Sequence, residues 1–377
     1  MRARVKSSGS TLRAGSPPAA SAPERAEDLF ALLAEHAHEQ VSLCYEPSTG
    51  YRGIIAIHST VLGPALGGTR FWSYGSDREA LIDALRLSRG MTYKAAVAGL
   101  NLGGGKSVII GDNTTARREP LFRAHGRHIE ALKGRYITAE DVGTSTQDME
   151  YIKAETNHVT GLIGTSGDPS PVTAYGVYRG IKACARVRYG SDELAGKTVA
   201  LQGCGHVGYH LAKLLHAEGA HLVVADVDPF RVARVVDECQ AQSVAPDEIY
   251  RVQANVFAPC ALGAVINDAT LKLLRVEIVA GAANNQLADE RHGDALEARS
   301  IIYAPDYVIN GGGLINVNAE LQGWSLERAR AKAGEIYDAL LRVFEIARDE
   351  RIPTYRAADR LAEERIAAVA KVRQNLV

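Results

Sequence analysis

The apolar residues of this chain fall into two rhythms. IIAIHST (54–60) is an apolar run of strand length, and its lack of polar alternation predicts a buried strand. Ser76-Asp77-Arg78-Glu79 has the form of a capping box. Beyond it Leu81, Ala84, Leu85, Ser88 and Met91 recur at helical spacing. Between the two, GPALGGTRF (63–71) reads as a glycine-rich loop. Lys94 sits three residues past Met91, beside the apolar stripe and just before the turn GLNLGGGKSVII (99–110).

KTVALQGCGHVGYHLAKLLHAEGAHLVVADVD (197–228) is the clearest passage. An apolar strand runs into Gly203-x-Gly205-x-x-Gly208, a helix with Val207, Leu211, Leu214 and Leu215 on one face follows, and HLVVAD ends on Asp226. In that context the glycines form a dinucleotide-binding turn. Gly203 makes the tight bend, Gly205 lets the backbone approach a pyrophosphate, and Gly208 lets the helix pack closely. His206 and Val207 lie inside the same loop and are counted with the cofactor site, the His206 side chain facing solvent. Asp226 is placed to accept from the adenosine ribose and to repel a 2′-phosphate, which favours NAD over NADP.

The pieces ADVDPF, 254–264, 277–286 and 301–310 read as further parallel strands, and 311–313 as the glycine-rich end of the last. Two helices, SLERARAKAGEIYDALLRVFEIARDE and AADRLAEERIAAVAKV, close the chain. The fold class is α/β with two domains separated by a cleft. An N-terminal α/β catalytic and oligomerisation domain covers residues 27–165 and 352–377. A Rossmann doubly wound parallel-sheet NAD domain covers 170–345.

Composition narrows the function. The 377 residues are 46% hydrophobic and 23% charged, as in an ordinary globular protein of about two domains. The net charge of −1 gives no electrostatic case for nucleic acid. No apolar run approaches the roughly 18 residues of a membrane span. The five cysteines, Cys44, Cys184, Cys204, Cys239 and Cys260, include no CxxC pair. They fit a reducing, cytoplasmic setting and argue against a disulfide framework or a metal site. Residues 1–26 are rich in Ser, Ala, Pro and Arg and are expected to be a disordered tail; their prolines and lack of an amphipathic stripe argue against a transit peptide.

GGGKS invites a nucleotide-triphosphate reading, which the spacing refuses. A P-loop needs Gly, four residues, then Gly-Lys-Ser/Thr. Counting back from Gly105-Lys106-Ser107, the required glycine falls on Leu100, and Val108-Ile109-Ile110 continues as a β-branched run rather than a helix. Another chemistry suits these residues. A partly desolvated lysine near a second lysine has its pKa lowered and can act as a base. The second, left charged, anchors a carboxylate. Asp141, in TAEDVGT, follows a strand and can pass a proton to an oxygen or nitrogen. With NAD nearby, this suggests oxidation of a carbon bearing an amine or hydroxyl beside a carboxylate.

The segments GPALGGTRFW, ALRLSRGMTYKAAVAGLNLGGGKSVIIGD, GRYITAEDVGT, PSPVTAYGVYRGIKA, FAPCALGA, AGAANNQL, YAPDYVINGGGLINV and AADRLAEERI occur in order along nearly the whole chain past the tail, within about residues 30 to 370. In these the chain resembles the glutamate/leucine/phenylalanine/valine dehydrogenase family, above all its leucine-acting branch. The resemblance implies that Lys94 binds the substrate α-carboxylate, Lys106 is the general base that activates water, and Asp141 exchanges protons with the substrate nitrogen. It implies that Asn285 and the backbone near Gly67 hold the substrate, and that Asn284 and Thr173 position the nicotinamide. It further implies a homo-oligomer, an octamer in leucine-acting relatives.

Leu66 stands where glutamate-acting members carry a lysine for the side-chain carboxylate. Burying that charge unpaired would cost several kcal/mol. Leu314 and Val317, at the matching side-chain positions, are apolar too. The expected substrate is therefore leucine, valine or isoleucine. Phenylalanine or tryptophan is the alternative within the family, since leucine at position 314 also occurs in those members. A non-catalytic NAD-binding regulator is the alternative outside it, and would be expected to lose Lys106 or Asp141.

Overall fold

YRGIIAIHS (51–59) has few polar side chains to keep at a surface, and it forms a strand buried along nearly its whole length. In the computed structural model, which describes residues 29–35, 37–163 and 167–374, it is one of five strands of a first sheet. The tail expected over residues 1–26 lies outside the described residues. The strands are β1 (Gln40–Glu46), β2 (Tyr51–Ser59), β3 (Ala65–Trp72), β4 (Gly103–Ile110) and β5 (Tyr136–Glu140), in the order β1-β2-β4-β3-β5. β2 is antiparallel to β1 and β4; β3 is parallel to both β4 and β5.

The stretch expected to be a glycine-rich loop, 63–71, is thus mostly the strand β3, interior to the sheet. Its glycines serve close approach rather than a turn: a Cβ on Gly67 would stand 1.7 Å from the Gly105 carbonyl oxygen. The helices α1 (Leu29–Glu35), α2 (Asp77–Val97), α3 (Arg118–Glu130) and α4 (Thr146–Lys153) accompany this sheet. Ser76 caps α2 as the spacing predicts, accepting from the Glu79 N–H at 3.1 Å. The Glu79 carboxylate accepts from the Gly75 N–H at 2.9 Å instead of closing the box on Ser76.

α5 (Ser170–Tyr189) leads into a second sheet built from β6 (Thr198–Gln202), β7 (His221–Ala225), β8 (Gln242–Ser243), β9 (Val256–Pro259), β10 (Ile278–Val279) and β11 (Ile302–Tyr303). Between these strands run α6 (His206–Ala217), α7 (Pro229–Cys239) and α8 (Glu290–Ala298). All pairings are parallel, in the order β11-β10-β9-β6-β7-β8. The chain starts in the middle at β6, adds β7 and β8 on one side, and then β9 to β11 on the other. The order reverses beside β6, so a crevice opens at its carboxyl end, where Gly203 follows directly. This is the doubly wound α/β class that the glycine turn predicted.

Several expected strands are shorter or absent. β7 stops at Ala225, and Asp228 accepts from the Phe230 N–H at 2.9 Å to open α7, so ADVDPF is a turn and a cap. Residues 306–309 form α9 (Asp306–Ile309), and 311–313 open α10 (Gly312–Gln322) instead of ending a strand. Gly312 is there for contact: a Cβ would lie 2.6 Å from the Thr173 Cα. The first C-terminal helix divides at Glu335 into α11 (Leu326–Gly334) and α12 (Ile336–Glu350). α13 (Thr354–Gln374) returns to the first sheet's layer. There the Arg365 guanidinium donates to the Leu100 carbonyl at 2.8 Å, and the Tyr93 hydroxyl donates to Glu363 at 2.9 Å.

Candidate active site

β4 alternates two faces, as any strand must. Ser107 points into a sealed polar cluster in which the Thr69 hydroxyl meets Ser107 Oγ at 2.8 Å, Thr138 Oγ1 at 2.6 Å and His125 Nε2 at 2.9 Å. Burial pushes His125 down to about 3, so it is neutral and passes the network on to the Tyr51 hydroxyl at 2.7 Å. Tyr136 closes the cluster, donating to the Gly67 carbonyl at 2.5 Å and lying 3.0 Å from Ser107. Its ring explains Gly105, where a Cβ would stand 2.6 Å from Tyr136 Cδ2. The β3–β4 pairing passes from Leu66↔Gly104 to Thr69↔Ser107 and leaves out Gly67 and Gly68. The Tyr136 hydroxyl therefore satisfies a carbonyl at the point where the ladder opens.

Lys106, one residue before Ser107, points the other way, is 6% exposed, and donates from Nζ to Asp141 Oδ2. Asp141 follows β5 directly and also accepts from Arg70 Nε at 3.2 Å. Burial pushes the Lys106 ammonium below the ordinary lysine value; Asp141 opposes this and the Arg70 charge adds to it. Burial alone would raise the Asp141 carboxyl, but Lys106 and Arg70 beside it more than offset that and hold it below the ordinary carboxylate value. The expectation named Lys94 as the cation that perturbs Lys106. The larger such influence is Arg70, which the sequence reading did not single out.

Lys94 is half-buried on α2. Burial lowers its pKa first, Asp306 opposes, and Lys106 lowers it further, so the two lysines and Asp306 share one electrostatic neighbourhood. Asp306 is a second residue the sequence reading missed. Its Oδ2 accepts from the Gln286 N–H at 3.0 Å, which ties it to the exposed pair Asn284 and Asn285. Asn285 holds a left-handed φ of 49°, a conformation that asparagine tolerates better than most residues. Asn284 Oδ1 accepts from Asn310 Nδ2 at 2.7 Å. Leu66, 2% exposed, and Leu314 belong to one contiguous apolar cluster, with Val317 packed against it. Half-buried Thr173, at the start of α5, abuts Gly312 and Gly313.

The second glycine turn has a different shape. Gly203 adopts φ of 100°, and a Cβ on Gly208 would stand 1.9 Å from the Gly203 carbonyl oxygen, so both are demanded by the fold. Gly205 is not: the nearest heavy atom to a Cβ there is Arg231 Nη1 at 3.8 Å. Gly205 is the N-cap of α6, and among the described residues no side chain caps that helix. The first N–H groups of a helix have no partner within it, and the helix dipole lies behind them. That arrangement fits a pyrophosphate. The His206 side chain is 84% exposed, with Asp168 at 3.9 Å. Half-buried Asp226 accepts from the Cys204 N–H at 2.7 Å and the Asp228 N–H at 2.9 Å, so it braces the loop that it was expected to serve only as a ribose contact. Cys204 is buried, and burial pushes its thiol up to about 12, which makes it inert as a nucleophile. Among the described residues no His, Cys, Asp and Glu cluster could hold a metal, and no helix is long and apolar enough to cross a membrane.

Comparison with known proteins adds independent observations. Residues 38–158 match the family model described as Glu/Leu/Phe/Val dehydrogenase, dimerisation domain. Residues 225–374 match the one described as Glutamate/Leucine/Phenylalanine/Valine dehydrogenase. Leucine dehydrogenase of Thermoactinomyces intermedius is 56% identical over 93% of this chain and 96% of its own. Phenylalanine dehydrogenase of Caldalkalibacillus thermarum is 45% identical over 89% and 93%. The crystal structure of L-tryptophan dehydrogenase from Nostoc punctiforme superposes with a TM-score of 0.84 at 45% identity, covering 90% of this chain and 99% of that one.

Proposed function

The chain belongs to the glutamate/leucine/phenylalanine/valine dehydrogenase family, and from that premise we propose that it oxidises an apolar L-amino acid to the 2-oxo acid and ammonium, reversibly, with NAD. It is an amino-acid dehydrogenase, and enzymes of this family generally depend on a nicotinamide cofactor. Leucine, valine or isoleucine is the favoured substrate. In support, the leucine-acting relative stands at 56% identity against 45% for the phenylalanine-acting one, and Leu66 is buried where a substrate carboxylate would need a cation. The working form is a homo-oligomer, by resemblance an octamer, and it acts in the cytoplasm.

Gly203, Gly205, His206, Val207, Gly208 and Asp226 hold the adenine-nucleotide half of NAD in this reading, and Thr173 and Asn284 the nicotinamide end. When bound, NAD⁺ supplies the acceptor for the hydride that leaves the substrate Cα. Lys94 pairs with the α-carboxylate, while Gly67 and Asn285 orient the α-amino carbon. Leu66, Leu314 and Val317 enclose the side chain and keep water from it. Asp141 takes a proton from the substrate nitrogen. Lys106, made less basic by its surroundings, removes a proton from the water that attacks the imine carbon, and Asp141 returns a proton to nitrogen as ammonium departs. In domain terms, residues 27–165 with 352–377 would carry the substrate side and 170–345 the cofactor side.

One observation carries the reading: the Nζ of a nearly sealed lysine donates to a carboxylate that a second cation also holds. A surface ion pair has no need of such an arrangement. The test is NADH production at alkaline pH from leucine, valine, isoleucine, phenylalanine, tryptophan and glutamate. The rate is expected to be highest with a branched-chain substrate and to climb with pH, its rising limb lying below the ordinary lysine value because Lys106 must be neutral to act. No turnover with any of the six would refute the enzyme reading, and preference for glutamate would refute the Leu66 argument alone.

A further inference from the structure

Arg70 lies on β3, one residue past the sealed cluster, with 22% of its side chain exposed. Its guanidinium is used as a fork. Nε donates to Asp141 Oδ2 at 3.2 Å, and Nη1 donates to Asp83 Oδ2 at 2.7 Å. Asp83, on α2, is held in turn by the Tyr74 hydroxyl at 2.8 Å and by Arg86 Nη2 at 3.1 Å. One oxygen of Asp141 therefore receives two cations, Lys106 and Arg70. Through them α2, β3, β4 and the end of β5 are tied together at a single carboxylate.

We propose that Arg70, braced by Asp83, is the positioning residue of the Lys106–Asp141 pair, fixing the carboxylate in the orientation that faces Lys106 Nζ. This rests on the reading of Lys106 as the base. A carboxylate alone beside a lysine favours its charged, non-basic form. A second cation on the same oxygen weakens that attraction and at the same time repels the Lys106 charge. The planar fork also fixes a direction, which a point charge would not. The other charged or titratable groups that act electrostatically on the pair are Asp83 and Lys94 on α2 and, from the far side of the sheet, Tyr136 on β5. Asp83 and the phenol of Tyr136 carry no positive charge, and Lys94 is assigned to the substrate carboxylate, so Arg70 is the cation left to set the pair.

The experiment is the pH dependence of kcat/KM for leucine oxidation by the full chain, in wild type, Arg70→Gln and Arg70→Lys, with NADH affinity measured on each. Losing the charge in Arg70→Gln frees Lys106 to stay protonated to higher pH. The rising limb should move up by about one pH unit. The loosened geometry should lower kcat/KM about 10- to 100-fold. Arg70→Lys keeps a charge without the fork, so it should return the limb towards its wild-type position while leaving most of the rate loss. NADH affinity should be unchanged in both. A Gln variant whose limb stays at the wild-type pH overturns the proposal, as does a Lys variant whose limb moves as far as that of Gln. A wild-type chain with no turnover on any amino acid overturns the underlying reading and the proposal with it.

Discussion

Gly103-Gly104-Gly105 before Lys106, and Gly203-x-Gly205-x-x-Gly208 a hundred residues on, are nearly alike as text and opposite in what surrounds them. Each glycine of the first set is filled by the protein itself. A Cβ on Gly103 would stand 1.9 Å from the Ser59 carbonyl oxygen, on Gly104 2.1 Å from the Thr92 N, and on Gly105 2.6 Å from the Tyr136 ring. In the second set Gly203 and Gly208 are likewise spoken for, but among the described residues nothing comes nearer to a Cβ on Gly205 than the tip of Arg231, at 3.8 Å. A missing side chain that the fold demands brings elements together. One that the fold does not demand leaves a place for something else. In this account the first turn lets α2, β4 and β5 close around a lysine, and the second offers the N-terminus of α6 to a phosphate.

The comparison can be broken by refilling the glycines. Gly104→Ala forces a methyl into the α2 backbone, which cannot yield as a flexible side-chain end would. Overpacking of this kind costs about 3 kcal/mol, so a thermal melt of the variant should show a clear loss of stability, or the chain should fail to fold. Gly205→Val should do the reverse: melt as wild type does, yet bind NADH about ten-fold more weakly in a fluorescence titration, because the side chain stands where the backbone must approach a phosphate. A Gly205 variant that melts early and binds normally would erase the distinction. His206→Ala should do least. Its side chain is 84% exposed with one distant partner, so NADH affinity should stay within about two-fold, a surface-sized effect of under 0.5 kcal/mol.

Legibility in the sequence followed the same divide. The second turn could be read because strand, glycines, helix and acid are contiguous, and each part of the signal lies within one βαβ unit. The helix start at Ser76 was local and legible, although only the Ser76 half of the box forms and Glu79 turns to the Gly75 N–H instead. The first sheet was harder. β3 looked like a loop because glycine usually marks turns, whereas Gly67 and Gly68 answer to β4 and to the end of β5, far along the chain. The turn at 311–313 was read as a strand end for a similar reason; Gly312 answers to Thr173, and nothing nearby announces it. Lys94, Lys106 and Asp141 stood out through their motifs. Arg70 and Asp306 did not, since an arginine inside a glycine-rich stretch looks like any surface charge until β5 and α2 bring Asp141 and Asp83 to it. The Arg70 fork is built from residues 13 and 71 positions away, a separation at which no sequence pattern carries a signal.

The central claim is that Lys106 serves a substrate and not a phosphate, and Lys106→Ala tests it when turnover and NADH affinity are measured on the same preparation. Removing a buried general base should cost at least about a thousand-fold in kcat. NADH affinity should stay within about two-fold of wild type, because this account places the cofactor over Gly205 and away from Lys106. A variant that loses NADH affinity in step with turnover would show that the lysine holds the cofactor after all, and would contradict the account.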